Sequence, residues 1–195
     1  MNILPGDILI LNNMDGNFLS KSIRFFSGEP WSHTGVVFFP FLGGPETGNI
    51  FEADLLIKTT DWQSLVDDPY YDLRVYRWKN QMNISPALLS VFKQFDGMLY
   101  GEMMLLWFIW AWIVKKLHLP LRWAIHNFFP GRGICTKVVY VFLQDLHDMY
   151  VTTAMSLVGK DENTVAPANI MAICDELCFN GFMELVFTQM HTQAK

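Results

Sequence analysis

In Gly131-Arg132-Gly133-Ile134-Cys135-Thr136-Lys137-Val138-Val139-Tyr140, a loop loosened by two glycines gives way to an apolar run, and a thiol stands at the junction. A cysteine attacks as thiolate, and the unpaired amides of a helix's first turn lower its pKa through their partial positive charge. Those amides can also hold the oxyanion formed when a carbonyl is attacked. Gly131 and Gly133 would let substrate and backbone approach closely. The competing reading of Cys135 is a buried, inert side chain.

A catalytic thiol needs a base. Of the five histidines, His33 alone sits at the edge of a predicted core strand, in Trp31-Ser32-His33-Thr34-Gly35-Val36-Val37. His118, His126, His147 and His191 fall in loops or on helix faces, and His126 keeps some interest because it is close to Cys135 in sequence. An imidazole needs an acceptor to fix its tautomer. Glu52, in Asn49-Ile50-Phe51-Glu52-Ala53-Asp54, is a carboxylate in an otherwise apolar strand, costly unless partnered. It is expected to face His33 across a hairpin, with Asp54 or a structural salt bridge as alternatives. Asn12 or Asn13 could supply a second oxyanion donor.

The elements that must position these groups follow from periodicity and punctuation. Ile8 to Leu11 after Pro5-Gly6-Asp7, Thr34 to Phe39, Ile50 to Ala53 and Leu73 to Trp78 read as strands, and the Gly43 to Asn49 cluster reads as the turn of an antiparallel hairpin. Residues 18–27 suit a short amphipathic helix. Ser85-Pro86 opens a helix that Gly97 closes, Val138 to Leu146 is a second, central one, and Pro167 opens a third through Cys178. Asn180-Gly181 then turns the chain into a last strand, Met183 to Phe187. Strands early and late with helices between them predict an α+β domain with a mainly antiparallel sheet packed against helices.

Pro5-Gly6-Asp7-Ile8-Leu9, Ser32-His33-Thr34-Gly35-Val36-Val37, Phe51-Glu52-Ala53, Tyr100-Gly101, Cys135 before an apolar helix and Ala166-Pro167-Ala168-Asn169-Ile170 follow one another in an order that resembles the YiiX-like proteins. These are circularly permuted papain-like amidases of the NlpC-type cysteine peptidase superfamily, related to lecithin:retinol acyltransferase-like enzymes. The likeness runs over about residues 4–172. It implies one permuted papain-like domain over 1–195, with Cys135 as nucleophile, His33 as general base and Glu52 as orienting carboxylate. Permutation accounts for a histidine that precedes its cysteine, since a triad is defined by geometry and not by chain order. Two departures stand out. Thr136-Lys137 replaces the usual Ser-Glu, where Lys137 would favour thiolate, and Ala168 and Asn169 stand where acidic residues are usual. The implied chemistry is cleavage of an amide or ester through an acyl-thioester, by hydrolysis or acyl transfer. The alternative is a non-catalytic binding or membrane-associated module that keeps the pocket.

Composition bounds the partners. A net charge of -5 with no Lys/Arg cluster argues against nucleic acid, which leaves a small-molecule, peptide or lipid-like substrate. Half the residues are apolar, with 16 Phe and 7 Trp. An apolar helical segment is expected at about 102–128, and its Met103 to Val114 run falls short of the roughly 20 residues needed to span a bilayer. That run reads as a buried helix, with peripheral membrane contact through its tryptophans and Lys115-Lys116 as the alternative. Three cysteines and no export signal at the N-terminus suggest a reducing, cytoplasmic setting. Cys174 and Cys178 could share a helix face, but a single such pair is poor evidence for zinc. Neither metal nor cofactor is expected.

Overall fold

Ile8-Leu9-Ile10-Leu11 has no polar side chain to turn toward water, and it forms the buried part of strand β1 (Ile8–Asn13). The computed structural model describes residues 3–14, 21, 24, 30–38, 49–53, 57–79, 83–95, 110, 113–114, 116–118, 135–150 and 165–190, with 49–61 and 150 described by backbone alone. In it β1 is flanked by β2 (His33–Phe38) and by β5 (Tyr71–Trp78). Outward from β2 lie β3 (Asn49–Ala53) and β4 (Ile57–Asp61), and outward from β5 lies β6 (Met183–Gln189). The order β4-β3-β2-β1-β5-β6 is antiparallel at every pairing. The α+β class, the antiparallel sheet and the β2–β3 pairing all match the expectations above.

Because side chains alternate along a strand, β1 serves two cores. Ile8 and Ile10 join Val36, Phe38, Tyr76 and Trp78 on one face, under the helices α2 (Ser85–Phe95), α3 (Cys135–Tyr150) and α4 (Pro167–Phe179). Leu9 and Leu11 join Val37, Leu73 and Val75 on the other, covered by Trp62 and Leu65 of the short α1 (Trp62–Val66). Neither β4 nor α1 is among the elements expected from the sequence. Ile57-Lys58-Thr59-Thr60-Asp61 is short and mostly polar, as suits an edge strand that needs no apolar face.

The Pro5-Gly6-Asp7 motif is a type II turn: Asp7 donates its amide to the Leu4 carbonyl at 3.0 Å, and Gly6 has φ 79°. A Cβ on Gly6 would also press on Cδ1 of Ile84, the end of a side chain that can turn aside, so it is the positive φ that requires glycine here. The turn aims Asp7 at Arg77 across the β1–β5 pair, where Nε and Nη2 bond the carboxylate at 3.0 and 2.7 Å.

The residue 18–27 helix, the Gly43–Asn49 turn, Tyr100-Gly101 and Gly131 to Ile134 lie wholly or mostly outside the described residues. Of the apolar segment at about 102–128, the described part has Trp110, Ile113, Val114 and Lys116 in helical conformation. Val114 is buried, while Trp110 and Leu117 are exposed. No described helix is long and apolar enough to cross a membrane.

Candidate active site

Val138, Val139, Phe142, Leu143 and Leu146 recur at helical spacing and are all fully buried. Each contributes about 1.5–3 kcal/mol of burial, so this stripe fixes which face of α3 meets the sheet. Cys135 lies on the same stripe, one turn before Val138 and Val139, and is carried with it into the helix–sheet core. The helix packs on β2, which brings the first residue of the helix to the first residues of that strand.

The approach to His33 is held from two sides. Ser32, itself buried, donates its amide to the Leu11 carbonyl at 3.0 Å and accepts the Asn13 amide on its hydroxyl at 3.1 Å. Half-buried His33 then pairs with Leu11 as the first rung of β2.

Cys135 is 3% exposed. Burial alone pushes its thiol up, but the His33 charge and hydrogen bond, with the amides of Thr34 and Thr136, outweigh it and hold Cys135 below the usual thiol range. The Thr136 amide belongs to the first turn of α3, where no carbonyl of the helix can accept it. The Thr34 amide is free for a different reason. Val37 exchanges bonds with Asp7 and Gly6 on the β1 side at 2.8 and 2.9 Å, and backbone groups alternate sides along a strand, so Thr34 points its amide toward β3. The β2–β3 ladder ends at the Gly35–Glu52 pair, leaving that amide beyond the last rung and available to sulfur. The other two cysteines differ sharply: burial raises Cys174 well above the usual range, and burial with Asp175 raises Cys178.

The register puts position 52 opposite Gly35, two residues along β2 from His33 and on the same face. The Glu52 side chain lies outside the described structure. Asn12 and Asn13 have other commitments: Asn12 bonds Asp72 at 3.0 Å and Arg24 at 3.2 Å, and Asn13 bonds the Tyr71 hydroxyl at 3.1 Å. Sequence reasoning placed the helix amides at the sulfur but missed the Thr34 amide, because a frayed ladder end has no signature in residue types. His118 is exposed and His147 lies in the last turn of α3, roughly 18 Å along the helix from Cys135. His126 and His191 fall outside the described residues, and Cys174 is part of the core.

Sheet, helices and site together define an α+β protein whose buried, acidified thiol meets a histidine at a strand end. No protein-family model matches the chain, and no curated protein does. Its fold is similar to that of the metalloprotein yiiX from Escherichia coli O157:H7, with a TM-score of 0.59 and 16% identity over 97% of this chain and 99% of that one.

Proposed function

We propose that the chain is a cysteine hydrolase or acyltransferase, a single permuted papain-like domain over 1–195, with Cys135 as nucleophile, His33 as base and Glu52 as the carboxylate that orients it. The observation that carries this reading is the selective acidification of Cys135: buried like Cys174, it is nevertheless held low by an imidazole and two amides. His33 takes the thiol proton, and Sγ attacks the carbonyl carbon of an amide or ester. The tetrahedral oxyanion collapses as His33 returns that proton to the departing amine or alcohol, which leaves an acyl-thioester. Water or a second acceptor, deprotonated by His33, then releases the acyl group.

A lipid-linked substrate or a cell-wall-type peptide fits an apolar chain that carries tryptophans between Tyr100 and the nucleophile. Exposed Trp110 and Leu117 beside Lys116 support peripheral contact with a membrane surface, and the cysteine usage fits a cytoplasmic location. The similar yiiX is described as a metalloprotein. Among the described residues, no group of three or more His, Cys, Asp or Glu side chains is placed to hold a metal ion.

The test is covalent trapping. On incubation with p-nitrophenyl acetate or p-nitrophenyl octanoate, mass spectrometry should find a hydroxylamine-labile acyl group on Cys135, lost in Cys135→Ser and strongly reduced in His33→Ala. Acylation elsewhere, or none at all, would favour a non-catalytic module.

A further inference from the structure

Arg74 is a cation on the helix-covered face of the sheet. It pairs with Ile10 of β1, which pairs in turn with Thr34 of β2. The three share one row and one face, so the Thr34 and Arg74 Cα atoms are roughly 10 Å apart. Thr34 is the residue whose amide bonds the Cys135 sulfur. The guanidinium lies 5.1 Å from the ring centroid of Trp31, a buried residue two positions before His33.

The polar contacts of Arg74 are thin for such a place. Nη1 donates to Sδ of Met171 in α4 at 3.5 Å, a weak acceptor. The Tyr76 hydroxyl, which donates its own proton to Asp175 at 2.8 Å, accepts a further hydrogen bond from Arg74. Nε is buried without a partner, and among the described residues no carboxylate pairs with Arg74. A desolvated donor on an unpaired cation is costly. Arg77 in the same strand shows the satisfied arrangement, with both Nε and Nη2 on the Asp7 carboxylate.

We propose that Arg74 recognises a carboxylate on the substrate attacked by Cys135, with its unpaired Nε edge donating to the anion while Trp31 stacks against the guanidinium plane. Stacking occupies the face of the group and leaves its in-plane donors for a planar anion. The inference rests on Cys135 being the nucleophile, and it specifies the substrate: the scissile carbonyl stands one to three residue lengths from a carboxylate.

The probes are iodoacetyl-glycine, iodoacetyl-diglycine and iodoacetyl-triglycine, each as free carboxylate and as neutral amide, each added residue extending the reach by about 3.5 Å. Alkylation of Cys135 is followed by mass spectrometry in native protein, Arg74→Gln and Arg74→Lys. In native protein one probe length should show a carboxylate-to-amide rate ratio of roughly tenfold. Arg74→Gln should bring that ratio near one, and Arg74→Lys should retain part of it. Equal rates at every length in native protein would overturn the inference while leaving the thiolate site intact, and this arm needs no variant to fold. A preference that survives Arg74→Gln would assign the attraction to His33 and overturn it equally. If Cys135 resists every probe near neutral pH, the nucleophile reading fails and takes this inference with it.

Discussion

Replacing His33 with alanine should move the onset of Cys135 reactivity to higher pH. Thiolate is present above the thiol's pKa, so the lowered pKa of Cys135 shifts its pH–rate curve toward acid. The variant keeps the burial, which raises the pKa, and loses the charge and the hydrogen bond, which lower it. Two amides remain against a sulfur that is 3% exposed, so the curve should shift to the alkaline side of a free thiol's. Against a free thiol, the gain in the native protein is bounded. A thiol with a pKa of about 8.5 is about 3% ionised at pH 7, so complete ionisation gains at most about 30-fold. Part of that is lost because a more acidic thiolate is a weaker nucleophile. Burial slows access in both proteins and cancels in their ratio, which should be about tenfold or more at pH 7. The assay is mass-resolved iodoacetamide labelling between about pH 5 and 10, with Cys174 and Cys178 as internal references that should label slowly near neutrality. Superimposable curves for native protein and His33→Ala would refute the reasoning.

Three further outcomes follow from the surroundings of the site. Asp7→Ala removes the carboxylate that accepts two Arg77 bonds and the Leu4 amide; since the Arg77 side chain is 22% exposed and partly rehydrates, the loss in urea unfolding should be about 3 kcal/mol, and a loss within about 0.5 kcal/mol would show that the pair is immaterial. Thr34→Val removes a buried hydroxyl that has no partner, so stability should hold or rise by about 1 kcal/mol; Cys135 labelling should not change, since the amide and not the hydroxyl meets the sulfur, and a slower rate would contradict that. Asn169 accepts the Ala166 amide at 2.9 Å at the start of α4, half of a capping box whose other half Ala166 cannot supply; Asn169→Ala should cost about 1 kcal/mol in thermal or urea unfolding, and an unchanged midpoint would show the cap to be idle.

Most of the sheet and three of the helices were legible as pattern. The Ile-Leu alternation of β1, the glycine-led turn before it, the Ser-Pro start of α2 and the Pro167 start of α4 each encode their local geometry in adjacent residues. α3 runs Cys135–Tyr150, so the thiol is where the change from loop to apolar run placed it. β4 and α1 were not legible, because a polar edge strand followed by a one-turn helix carries no period. Arg74 had a faint signal: in Leu73-Arg74-Val75-Tyr76-Arg77-Trp78 it shares a face with Tyr76 and Trp78, an odd place for a cation.

Periodicity by itself determined which face of α3 is apolar, and hence that Cys135 turns inward. What only the tertiary structure decided is the direction in which the pKa of that sulfur moves. Burial would make it inert, as it does Cys174; the imidazole at the head of β2 and an amide left over where the β2–β3 ladder stops reverse the outcome. Interactions of that kind depend on separations of a few ångströms between groups far apart in the chain, inside a medium that screens them weakly, and no local arrangement of residue types records those separations.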